Sequence, residues 1–152
     1  MAGRWKQCAW LAACLVLTVV SAAAIIRFSG QDGGQSQSLS HGLTAWVLGL
    51  LPVENTAENL ELLNYFLRKL AHFGLYFLLG IGLTGIARRQ NRLRTALAVL
   101  VLCGLFAAGD EFHQGFSQGR APSGWDVLLD TCGACVGWAA LECLMFLREK
   151  KG

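Results

Sequence analysis

The chain has 152 residues, of which 54% are hydrophobic and only 15% charged, and its mean hydropathy is +0.44. That composition excludes an ordinary soluble domain and points to an all-α polytopic membrane protein forming a single domain over residues 1–152. The formal net charge of +3 comes without a basic, aromatic-interleaved stretch, which excludes a nucleic-acid-binding surface.

The first six residues carry Arg4 and Lys6, and an uncharged run follows over residues 8–26. A bilayer crossing needs about 20 residues, so this run is the first expected span. The basic start and the small cluster Ser21-Ala22-Ala23-Ala24 also fit a cleaved signal peptide. The apolar run exceeds the usual signal-peptide core of about 7–15 residues, which favours retention. Segment 27–37 then turns to Gly, Ser and Gln and reads as a flexible link. Leu39, Leu43, Trp46, Val47, Leu50 and Leu51 recur at helical spacing up to Pro52, as expected of a short helix lying in the membrane interface. Residues 58–66 give a second short helical pattern, with Glu58 and Glu61 early in it, where acids suit the positive end of a helix dipole. The whole of 27–69 is expected as a polar loop bearing short interfacial helices.

Residues 70–87 form the second expected span, interrupted by His72 and by Gly74, Gly80, Gly82 and Gly85, small residues that permit close helix approach. Arg88, Arg89, Arg92 and Arg94 make the densest positive run. The third span begins at Thr95 but is uncharged only to Ala108, so it must continue through Asp110, Glu111 and Gln114 to about Phe116 in order to cross. The fourth, 123–147, ends at Arg148, Lys150 and Lys151, and Glu142 near its end is expected to pair with an Arg or to snorkel. Four spans with both termini cytoplasmic put nine of the thirteen Lys and Arg residues on one side, following the positive-inside rule.

This topology carries the polar stretch 109–137 away from the cytoplasm. Counting about 1.5 Å per helical residue, His72, Glu111 and Asp130 meet at one depth. Asp126, Asp130, Gly133 and Gly137 continue one stripe on the fourth helix, Gly104, Ala107, Glu111 and Gln114 one on the third, and Lys69, His72 and Tyr76 share a face of the second. Ionisable groups inside a span are costly and are functional candidates by default, although a buried acid with a His or Arg partner can also be a clamp between helices. His72, Glu111 and Asp130 are the candidates for chemistry. Lys69, Tyr76, Asp110, Gln114, Arg120 and Asp126 are the candidates for binding, with Asp110 alternatively a solvated residue near its helix end. Cys132-x-x-Cys135 has redox-motif spacing, but within a span it reads, like Cys8, Cys14, Cys103 and Cys143, as small apolar packing, and Gly133-x-x-x-Gly137 reads as a helix contact.

Arg68-Lys69-Leu70-Ala71-His72-Phe73 before Tyr76-Phe77, Asp110-Glu111-Phe112-His113-Gln114, Gly119-Arg120, and Asp126-Val127 through Asp130 to Gly133 together resemble the VanZ-like family, named for a teicoplanin-resistance protein. Phe28-Ser29 with the Ser38 and Ser40 region resembles the family's polar segment after the first span. Leu75 departs from the pattern, standing where many members carry an acid. The resemblance implies a bacterial cytoplasmic-membrane protein linked to the cell envelope and to glycopeptide tolerance.

Three functions remain open at this stage. One is a site for the phosphate or sugar head group of an envelope lipid, with Arg120 and Lys69 as cationic partners. Another is an enzyme using Glu111 or Asp130 as general base with His72, around a carboxylate-held hard cation in one version. The third is a structural or partner-binding module. Residue types and spacing assign no metal ligands, no cofactor and no oligomeric state.

Overall fold

The computed structural model describes residues 2–29, 42–50, 56–87, 91–116 and 122–150. Its long helices are α1 (Ala2–Ser29), α3 (Ala57–Ile86), α4 (Arg92–Gln114) and α5 (Gly124–Glu149). A short helix α2 covers 42–48. There is no strand among the described residues. Each long helix is long and apolar enough to cross a membrane.

The second span differs from its expected form. Residues 57–69 are not part of a loop: they continue the membrane helix, giving α3 a length of 30 residues, about 45 Å at 1.5 Å per residue. Glu58, Glu61, Arg68 and Lys69 end the hydropathic run, but no Gly or Pro before Gly74 ends the helix. Thr56 caps it, its side chain accepting a hydrogen bond from the Asn59 N–H at 3.3 Å. The length of α3 exceeds the thickness of a hydrocarbon core, about 30 Å.

In α2, Thr44 and Leu48 are buried while Leu43, Trp46 and Leu50 are exposed. Val47, also of the expected pattern, is half-buried, whereas Leu39, Leu51 and His41 lie outside the described residues.

Packing is organised on α3, whose main partners are α5 and α1, while α4 packs chiefly against α5. Backbone contact replaces side-chain interdigitation at the α3/α5 crossing. A Cβ built on Gly133 would lie 2.6 Å from the Phe73 carbonyl oxygen, and Cβ atoms on Gly80 and Gly137 would meet the carbonyls of Ala134 and Phe77. Gly82 and Gly85 sit against Thr18 and Cys14 of α1. A Cβ on Gly74 would have nothing within 4 Å among the described residues, so it serves no close approach between them. The core joins Ile25, Tyr76, Leu79, Val99, Cys103, Ala107 and Ala134. Large apolar side chains such as Val19, Leu97, Leu105 and Leu128 point outward, an arrangement a bilayer accepts and water does not.

The cysteines depart from uniform burial. All six are free, with Cys14 and Cys103 buried, Cys135 half-buried, and Cys8, Cys132 and Cys143 exposed. At one end of the bundle Arg92 Nε meets Glu142 Oε2 at 3.1 Å, and Arg92 and Lys150 lie over the Phe146 ring at 5.5 and 4.7 Å. The polar residues gather at the other end.

Candidate functional site

Helical spacing on α3 brings Tyr65, Arg68, Lys69 and His72 to one face. That face meets Glu111 and Gln114 of α4 and Asp126 and Asp130 of α5, and together they line a cavity of about 140 Å³. Lys69 pairs with Asp126, which lies in the first turn of α5, where a carboxylate also gains from the helix dipole. Lys69 further sits 5.3 Å from the centre of the Tyr65 ring. One turn deeper, His72 Nδ1 faces Asp130 Oδ2 at 3.7 Å, an ion pair when the imidazole is protonated. Glu111 Oε2 accepts a hydrogen bond from the Ser123 N–H at 2.8 Å, tying α4 to the start of α5.

Asp110 is buried, not solvated. Its Oδ2 accepts hydrogen bonds from Ser29 Oγ at 2.6 Å and from Gln114 Nε2 at 2.9 Å, and Gln114 also donates to Ser29 at 3.1 Å. Ser29 therefore belongs to the polar cluster, and sequence reasoning left it in a flexible link. The signal was its helical register: Cys14, Ser21, Ile25 and Ser29 recur at spacings of seven, four and four and are all buried. Tyr65 and Arg68 were likewise passed over as site residues. Tyr76 is fully buried beneath the cluster, its ring 6.1 Å from that of Phe106, and its hydroxyl has no hydrogen-bond partner among the described residues. His113 is exposed and is not among the residues lining the cavity. Arg120 lies outside the described residues.

Two electrostatic features follow. Asp110, Glu111, Asp126 and Asp130 set four carboxyl groups beside two permanent cations, Arg68 and Lys69, so acidic groups outnumber fixed cations in the described cluster. One donor atom each from His72, Asp110 and Asp130 lies within 4.8 Å of the others. At that distance two ionised carboxylates repel by about 3 kcal/mol for an effective dielectric of about 20.

A second depression adjoins the first. Tyr65, Lys69 and Asp126 line both the polar cavity and an apolar groove of about 660 Å³ between α3 and α5. Phe66, Leu70, Phe73, Leu128 and Leu129 form much of its wall, with the exposed Trp125 at its polar end.

A family model described as VanZ/LLP1 matches residues 12–146. The chain belongs to this family. The VanZ/LLP1 match takes in α3 and α4 whole, most of α1 and α5, and every residue of the polar cluster. No curated protein and no solved structure matches the chain.

Proposed function

We propose that this VanZ/LLP1 protein receives an envelope lipid laterally from the membrane, holding a phosphorylated or glycosylated head group in the polar cavity and an acyl or prenyl chain in the α3/α5 groove. The observation that carries this reading is that the two depressions share Tyr65, Lys69 and Asp126, so a polar compartment opens onto an apolar one. That is the division of an amphiphile. Sugar hydroxyls can donate to the surplus carboxylates, and Arg68, Lys69 and Arg120 can meet phosphate oxygens.

The protein lies in this reading in a bacterial cytoplasmic membrane with both termini inside, so the cavity opens outward. Handling an envelope lipid there links it to glycopeptide tolerance, teicoplanin included. Arg120→Ala tests the proposal in cells and in purified protein. It is expected to reduce both retained lipid and teicoplanin tolerance, and unchanged values of both in well-expressed protein would contradict it.

A second reading is favoured by the His72–Asp130 pair, which lies one turn below the ion pair of Lys69 with Asp126. An imidazole beside a buried carboxylate can move a proton to or from a bound head group. Incubating the purified protein with the copurified lipid would reveal turnover as a change in lipid mass.

A further inference from the structure

We infer that His72, Asp110 and Asp130 form a binding site for one divalent metal ion, with Zn²⁺ or Mn²⁺ as the class of ligand. The three side chains come from three different helices, α3, α4 and α5, and offer one imidazole nitrogen and two carboxylate oxygens within 4.8 Å of one another. Three protein ligands with remaining positions open is the pattern of a reactive rather than a purely structural metal site. The imidazole suits Zn²⁺ and the two carboxylates suit Mn²⁺, whereas an all-oxygen set would be expected for Mg²⁺ or Ca²⁺.

Two further observations point to a cation. Asp110 and Asp130 are both buried, while Lys69, the nearby lysine, is taken by Asp126. Tyr76, fully buried one turn along α3 from His72, leaves its hydroxyl without a hydrogen-bond partner among the described residues. A cation at this level would neutralise the acids and give that hydroxyl an adjacent ligand shell. Ser29 and Gln114, both hydrogen-bonded to Asp110 Oδ2, then act as positioning residues that fix one ligand. On the lipid reading, the ion would also supply the positive charge that an anionic phosphate needs in a cavity rich in carboxylates. Metal binding itself does not rest on that reading.

The test uses the full chain in detergent, without a histidine tag, stripped with chelator and titrated with Co²⁺ and then Zn²⁺. One equivalent of Co²⁺ is expected, with visible bands of a nitrogen- and oxygen-ligated ion, no sulfur-to-cobalt charge transfer, and displacement by Zn²⁺. Affinity should fall more than about 100-fold in His72→Ala and Asp130→Asn and about 10-fold in Ser29→Ala, in keeping with the smaller effect of outer-shell partners, and stay unchanged in Glu142→Gln. Wild type itself provides the spectrum, so the result does not depend on each variant folding. Failure to bind a stoichiometric ion, a charge-transfer band from Cys132 or Cys135, or equal binding by His72→Ala would overturn the site. Binding of lipid without metal would remove this site and leave the lipid reading standing. Binding of metal without lipid would do the reverse.

Discussion

Asp110 shows how a side chain with two readings in the sequence, a binding candidate or a solvated residue near its helix end, is decided by burial. Its position two residues after Ala108, where the apolar run ends, left both readings open, and α1 extends far enough to place Ser29 against it. The composition of a segment cannot report a contact made by a residue 81 positions away. Ser29→Ala removes one donor from a buried acid, and a hydrogen bond to a charged group is worth about 1.5–3 kcal/mol. A lower thermal midpoint in detergent is expected, and an unchanged one would mean that Gln114 alone satisfies Asp110. Tyr76→Phe makes the opposite prediction. Its hydroxyl is buried without a partner among the described residues, so its removal should leave metal-free protein as stable as wild type or more so. Destabilisation by more than about 1 kcal/mol in the metal-free protein would show that the hydroxyl already has a partner.

Helices carried most of what was legible, and α3 carried what was not. Four apolar stretches gave four spanning helices, since backbone groups in lipid must be satisfied within a helix. Hydropathy nevertheless ends where charge begins, whereas a helix ends only where its hydrogen bonding does, and α3 continues back to Ala57. That continuity places Tyr65 and Arg68 on the cavity wall. Glycine spacing likewise marked helix contacts without telling which glycines make them. Gly133→Val should force α3 from α5, because its Cβ would meet a backbone carbonyl at 2.6 Å, and overpacking costs about 1–3 kcal/mol. Gly74→Ala has open space and should stabilise the helix by about 0.5–1 kcal/mol. Thermal unfolding of the two variants in the same detergent should move in opposite directions. A shared direction would contradict the packing of α3 on α5.

At the scale of the whole molecule, polarity is distributed end to end. The α4 start and α5 finish hold Arg92 and Glu142, while the opposite ends of the same helices hold the four carboxylates. Alternating charge with polar depth was readable in the sequence because each expected span was bounded by it. The apolar groove was not, because Phe66, Leu70 and Leu128 are as lipophilic as the side chains facing lipid elsewhere, and only the shape between α3 and α5 separates them. With nine of thirteen Lys and Arg residues toward one side of the expected topology, reporters fused after Gly152 should be active in the cytoplasm. Activity only outside would invert the orientation and turn the cavity inward.

The lateral-entry account is tested most directly by mass spectrometry of the lipids that copurify with wild type and with Lys69→Ala, His72→Ala, Glu111→Gln and Asp130→Asn, each checked for intact folding. The account predicts a phosphorylated or glycosylated envelope lipid held by wild type and lost or strongly reduced in the folded variants. Identical lipid profiles across folded wild type and variants would contradict a head-group site in the polar cavity.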